Sequence, residues 1–134
     1  MAMTVELVWE HDLVLAGSAG QASMRLDSNG VEGPSPVQAL AFALAGCMAM
    51  DVVHILKKGR HDLRGLKVEL VAERAATDPR RVTAVTMAYT ITGDVPKDQV
   101  QRAIDLSRDK YCSVWHSMRE DIALAATITI TAGV

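Results

Sequence analysis

A chain of 134 residues with 49% hydrophobic and 22% charged side chains has the size of one domain and the composition of an ordinary globular protein. A formal net charge of -2 and an aromatic content of 4% provide neither the basic patch nor the stacking platform that nucleic-acid binding calls for. Arg60, Arg64, Arg80 and Arg81 are scattered among acids, so nucleic acid is not an expected partner.

Met1 to Glu10 lacks the basic start and apolar stretch of a signal peptide. The most apolar run, Val37 to Met50, is short for a membrane span, contains Gln38 and is followed by Asp51. A single cytoplasmic domain over residues 1–134, with no membrane partner, is the expectation.

Along the chain, Val5, Leu7 and Trp9 alternate with Thr4, Glu6 and Val8, the pattern of a half-buried strand. A second strand is expected around Asp12 to Leu15, ahead of the small-residue turn Gly17-Ser18-Ala19-Gly20. Ala22, Met24 and Leu26 give a third, which closes an antiparallel meander at the turn Asp27-Ser28-Asn29-Gly30.

Gly33-Pro34-Ser35-Pro36 starts a helix, with Ser35 as cap and Pro36 at the first helical position. The helix is expected to reach Lys58 and stop at Gly59 as its C-cap glycine. From Val37 to Val53 it is apolar nearly all round, which predicts burial on more than one side. A chain this short has little material to enclose it, so a second subunit is the natural supplier.

Strands follow at Leu66 to Glu73 and Val82 to Thr92, the latter alternating through Val85, Met87, Tyr89 and Ile91. An amphipathic helix is predicted from Asp98 to Arg108 through Val100, Ala103, Ile104 and Ser107. A short helix starting near Cys112 would carry Trp115 and Met118, and Ile122 to Thr131 closes as a strand. The order βββ-α-ββ-αα-β describes an α+β fold with mostly antiparallel pairing.

Cys47 and Cys112 are the two cysteines. In a reducing compartment such a pair is more often catalytic, redox-active or metal-binding than structural. The plain reading of Cys47 is a small hydrophobe in a packed helix. Against it, Cys47, Asp51 and His54 fall along one helical face, although the last two also fit a polar stripe.

A thiolate rather than a thiol attacks a peroxide. A reactive Cys47 in mid-helix therefore needs a cation from elsewhere, for which Arg25, His54, Lys110 and His116 are candidates. Cys112 has a different prospect. A helix starting at it would offer free backbone N–H groups to a thiolate, with Lys110 adding charge. Its plain reading is a space-filler beside Tyr111 and Trp115.

A zinc site from Cys47, Cys112, His54 and His116 is the rival, but structural zinc sites usually bring closely spaced ligand pairs such as C-x2-C, and the chain has none. No metal or bound cofactor is expected. His11 and His61 sit in polar turns. The chain also lacks a glycine-rich phosphate loop, an H-E-x-x-H and a G-x-S-x-G.

The segments Gly33-Pro34-Ser35-Pro36-Val37-Gln38-Ala39-Leu40, Leu44-Ala45-Gly46-Cys47, Asp51-Val52 and Lys110-Tyr111-Cys112-Ser113-Val114 occur in an order and separation that resemble the OsmC/Ohr superfamily of osmotically inducible and organic hydroperoxide resistance proteins. Leu63 to Val68 and Tyr89 to Gly93 also fit, so the resemblance covers most of the chain.

The resemblance implies an OsmC-like fold, an intertwined homodimer around long central helices, and reduction of a small-molecule hydroperoxide. Cys47 would be the peroxidatic thiol, Cys112 would resolve its sulfenic acid as a disulfide, and an external dithiol, lipoyl-type in some members, would restore both. Two positions depart from the peroxidase pattern. Val37 stands where a glutamate follows the helix-start proline, and Asp12 to Gln21 has no arginine, Arg25 being the nearest.

A second reading is a binding module. Its interface cavity, lined by Met48, Met50 and Trp115, would hold a small apolar or thiol-bearing ligand.

Overall fold

The computed structural model describes residues 1–132, and the chain divides into two compact units after Phe42. In the first, strands β1 (Glu6–His11), β2 (Val14–Ala19) and β3 (Ala22–Asp27) make an antiparallel meander in the order β1-β2-β3. The second strand runs further than its residues suggested. Gly17 and Ser18 pair within the ladder, opposite Leu7 and Glu6, and the turn is the two residues Gly20 and Gln21. Gly20 takes φ 61, the left-handed value a tight hairpin needs at its first central position.

The β1 strand is exposed along its whole length in this chain, with Leu7 at 49% and Trp9 at 68%, so the expectation of a half-buried strand does not hold. The alternation is present; a layer covering it is not supplied by the meander.

Helix α1 (Pro36–Lys58) starts with a reciprocal cap. The Gln38 amide donates to Ser35 Oγ at 3.2 Å, and the Ser35 amide donates to Gln38 Oε1 at 2.9 Å. This capping box satisfies two otherwise orphaned donors. At the other end the left-handed residue is Arg60, at φ 61, and not the expected Gly59. The Arg60 amide donates to the Lys57 carbonyl and the His61 amide to the Leu56 carbonyl, a Schellman closure one residue later than the glycine suggested.

One stripe of α1 is buried: Leu44, Met48, Val52 and Leu56, four residues apart. The face turned away keeps Phe42 at 71% and Met50 at 73% exposure. Within one chain the helix is therefore not buried on several sides as its composition predicts. At 23 residues it is long and apolar enough to cross a membrane by length and composition, where the shorter run Val37 to Met50 suggested otherwise.

The second sheet has the order β4-β5-β6, from β4 (Asp62–Arg74), β5 (Val82–Asp94) and β6 (Ala123–Thr131). The β4–β5 pair is antiparallel, whereas β5 and β6 run parallel. The chain between those two strands supplies the crossover that a parallel pair requires. Val85, Met87, Tyr89 and Ile91 alternate inward from β5 and join the α1 stripe in one core, against which Leu66, Val68, Leu70, Ile128 and Ile130 also pack.

Helix α2 (Lys97–Leu106) buries Val100, Ala103 and Ile104. It then widens into a single π turn, Ser107–Tyr111, before the four-residue helix α3 (Ser113–His116). Met118 lies beyond α3, outside the short helix predicted to carry it.

Candidate active site

The site lies in the second unit, where the middle of α1 meets the π turn. Cys47 is half-buried on α1, while Cys112 is fully buried in the core. Cys47 lies close enough to Cys112 to raise its thiol further, although 64 residues separate them in sequence. Both are free.

Cys112 caps α3. Its backbone is extended (φ -72, ψ 102), and its Sγ accepts the Trp115 amide at 3.3 Å, with the Val114 amide also directed at it. Free N–H groups do reach this sulfur, as a helix start at Cys112 predicts. They do not win. Burial pushes the Cys112 thiol up to about 11, the two amides oppose the rise, and the adjacent Cys47 thiol adds to it. Cys112 is therefore held as a protonated thiol at neutral pH, against the expectation of a stabilised thiolate.

The π turn sets this geometry. Its closing bond runs from the Cys112 amide to the Ser107 carbonyl at 2.8 Å, and the wider turn carries Cys112 out of helical conformation. Ser107 is fully buried, and its hydroxyl donates to Asp51 Oδ2 at 2.8 Å. Asp51 thus ties α1 to the turn that holds Cys112.

Tyr89, buried on β5, points its hydroxyl at Met87 Sδ, 3.9 Å away. Burial first, and then the nearby Cys112 and Asp51, push its phenol upward, so it stays neutral. By periodicity Tyr89 and Ser107 read as inward-facing positions of a strand and a helix. The signal available was a polar atom at each of two inward-facing positions, which must find a partner when buried.

Three of the four candidate cations have partners of their own. Arg25, in the first unit, is gripped by Glu10 through Nε at 2.7 Å and Nη2 at 2.9 Å. Lys110 Nζ sits 5.3 Å above the Tyr111 ring. His116 Nε2 bonds the Arg108 carbonyl at 2.9 Å. His54 is exposed and lines a cleft with Asp51 and Tyr111.

Among the described residues, no cation is hydrogen-bonded or ion-paired to either thiol, and no three His, Cys, Asp or Glu side chains converge as metal ligands. The four zinc candidates are not brought together. Met48 is sealed in the core and Met50 points outward, so these two do not line one cavity with Trp115.

A family model described as OsmC-like protein matches residues 27–127, a span that includes both cysteines and the π turn. The chain belongs to this family. Protein YhfA of Escherichia coli strain K12 is 41% identical over 115 residues, 84% of this chain and 86% of that protein.

Among solved structures, the OsmC-like protein of Mycoplasma pneumoniae superposes with a TM-score of 0.84 at 14% identity, each chain covered to 98%. The organic hydroperoxide resistance protein OhrB of Bacillus subtilis superposes with a TM-score of 0.66 at 13% identity, over 96% of this chain and 98% of that one. At these identities the two structures establish that this OsmC-like protein shares their fold.

Proposed function

We propose that this OsmC-like protein is a thiol-dependent peroxidase that reduces organic hydroperoxides through Cys47 and Cys112. The observation that carries the reading is the asymmetry of two adjacent thiols. Cys47 is partly open to solvent, and the neighbouring Cys112 is fully buried. An oxidant then meets Cys47 first, and the product forms beside a second thiol that solvent does not reach.

In the first step the Cys47 sulfur attacks a hydroperoxide oxygen. An S–O bond forms, the O–O bond breaks, and the alkoxide leaves as an alcohol after taking a proton. In the second, Cys112 attacks the sulfenic sulfur. The S–S bond forms, and the departing hydroxyl leaves as water with the proton that Cys112 has kept. An external dithiol returns two electrons by exchange, which restores both thiols and leaves the dithiol as its own disulfide. Such a cycle belongs in the cytoplasm, where reducing dithiols are maintained.

The active form is a homodimer built around the exposed face of α1, where Phe42 and Met50 stand open in the single chain. Apolar surfaces of this kind are what obligate dimers bury between their subunits. The test of activity is consumption of tert-butyl hydroperoxide with a dithiol reductant. The parent protein should turn over and Cys47→Ser should not; equal rates would overturn the reading.

A second reading, a binding module with little or no peroxidase activity, draws on Val37 and on the lack of a cation bonded to either thiol among the described residues. Under it, Cys47 would show no burst of sulfenic acid on peroxide addition.

A further inference from the structure

One helical turn past Cys47, a cleft of about 640 Å³ opens along α1 against α2 and the π turn. Asp51 and Leu106, both half-buried, line its inner part, and Lys58 from α1 and Arg102 from α2, both exposed, line its outer part together with the exposed His54 and Tyr111. The volume falls in the range of small-molecule sites.

Lys58 and Arg102 have no salt bridge or hydrogen bond to a side chain among the described residues. Several other arginines are taken up by acids: Arg25 by Glu10, Arg108 by Asp105 and Asp109, Arg119 by Asp121. Lys58 and Arg102 are thus two cations without an acidic partner that line one concavity.

We infer that this cleft binds a small amphiphilic anion, with a carboxylate or phosphate head between Lys58 and Arg102 and an apolar tail directed inward past Leu106. The charges within the cleft fix that orientation. Asp51 at the inner end repels an anion, and its Oδ2 is already occupied by the Ser107 hydroxyl.

The C-terminus of α1 would ordinarily oppose a negative group near Lys58. Here the Ile55, Leu56 and Lys57 carbonyls accept the Gly59, His61 and Arg60 amides, so they do not project free into the cleft. Arg102 offers a planar fork suited to either oxyanion, and Lys58 adds a flexible point charge. Cys47, Asp51 and Lys58 share a helical face spanning roughly 16 Å, at 1.5 Å rise per residue, so an elongated anion seated here extends toward the thiols.

The experiment uses the reduced protein without peroxide, so its outcome is independent of peroxidase activity. Hexanoate, hexyl phosphate and hexanol are titrated while the His54 ring proton resonances are followed by NMR. At least one of the two anions should shift His54 saturably and hexanol should not. The stronger of the two identifies the head group.

Arg102→Gln and Lys58→Gln should each weaken the anion about tenfold, the size of one charge-assisted contact. Both side chains are exposed, and unchanged melting temperatures would show that the variants fold. Equal binding of hexanol, absence of binding by either anion, or undiminished affinity in both variants would overturn the inference.

Discussion

Ser107 donates its hydroxyl to Asp51 Oδ2 at 2.8 Å while its carbonyl accepts the Cys112 amide at 2.8 Å, so one buried serine joins the central helix to the backbone of the second thiol. Ser107→Ala keeps the carbonyl contact and removes the donor, leaving a half-buried carboxylate oxygen without its partner. An unsatisfied group of this kind costs about 1–3 kcal/mol. Urea unfolding should show a loss in that range, and a change of only a few tenths would mean that water replaces the hydroxyl freely.

The two cysteines should differ sharply toward alkylation. Burial raises the Cys112 thiol to about 11 and leaves it with no solvent exposure. At pH 8 roughly one molecule in a thousand would then carry its thiolate, against about one in four for a free cysteine near 8.5. Because a raised thiol keeps its proton until the pH nears 11, Cys112 labelling should climb about tenfold per pH unit between 8 and 10. Mass spectrometry of protein treated briefly with iodoacetamide should find the label on Cys47, and equal labelling at pH 8 would refute the assignment.

Much of this arrangement was legible in the residues themselves. The Ser35-Pro36 start, the helix to Lys58 and the inward alternation of β5 follow local rules of capping and periodicity, and the structure has them. That Cys47 and Cys112 act as a pair is an implication of the order of family motifs and not of any spacing. The failures have a common cause in tertiary context. Desolvation of Cys112 outweighs the amides that cap α3. The parallel β5–β6 pair depends on a crossover that no local pattern encodes. The π turn at Ser107 inserts a wider ring where the sequence reads as continuous amphipathic helix.

Acid stability should depend on Asp27, whose backbone lies at the end of β3. Its carboxylate accepts the Asn29 amide at 2.9 Å, the Glu32 amide at 3.0 Å and the Val31 amide at 3.3 Å, shaping the loop that leads into α1. The Glu32 and Asn29 amides, foremost among these contacts, hold the Asp27 carboxyl below its ordinary value. For a depressed carboxylate, the stabilisation is fully present above the unfolded value of about 3.9 and is lost as pH falls through the lower folded value. The parent should therefore lose stability steeply below about pH 4, and Asp27→Asn should flatten that limb while lowering stability at pH 7. Parallel acid limbs for the two proteins would contradict this account.

The exposed face of α1 makes a prediction about assembly. Phe42, Gly46, Ala49, Met50 and Val53 follow the spacing of one helical face, turned away from the buried Leu44–Met48–Val52 stripe, with Phe42 and Met50 its exposed members. A Cβ placed on Gly46 would meet no atom within 4 Å, so this face leaves room for another backbone to approach closely. In a lone chain Met50 is 73% exposed, and Met50→Glu should cost such a chain little. In a dimer closed over this face, the same carboxylate would be buried without a partner. Light scattering at micromolar concentration should give twice the chain mass for the parent and the single-chain mass for Met50→Glu. A monomeric parent would overturn the dimer, and a variant that stays dimeric with unchanged stability would place the subunit contact elsewhere.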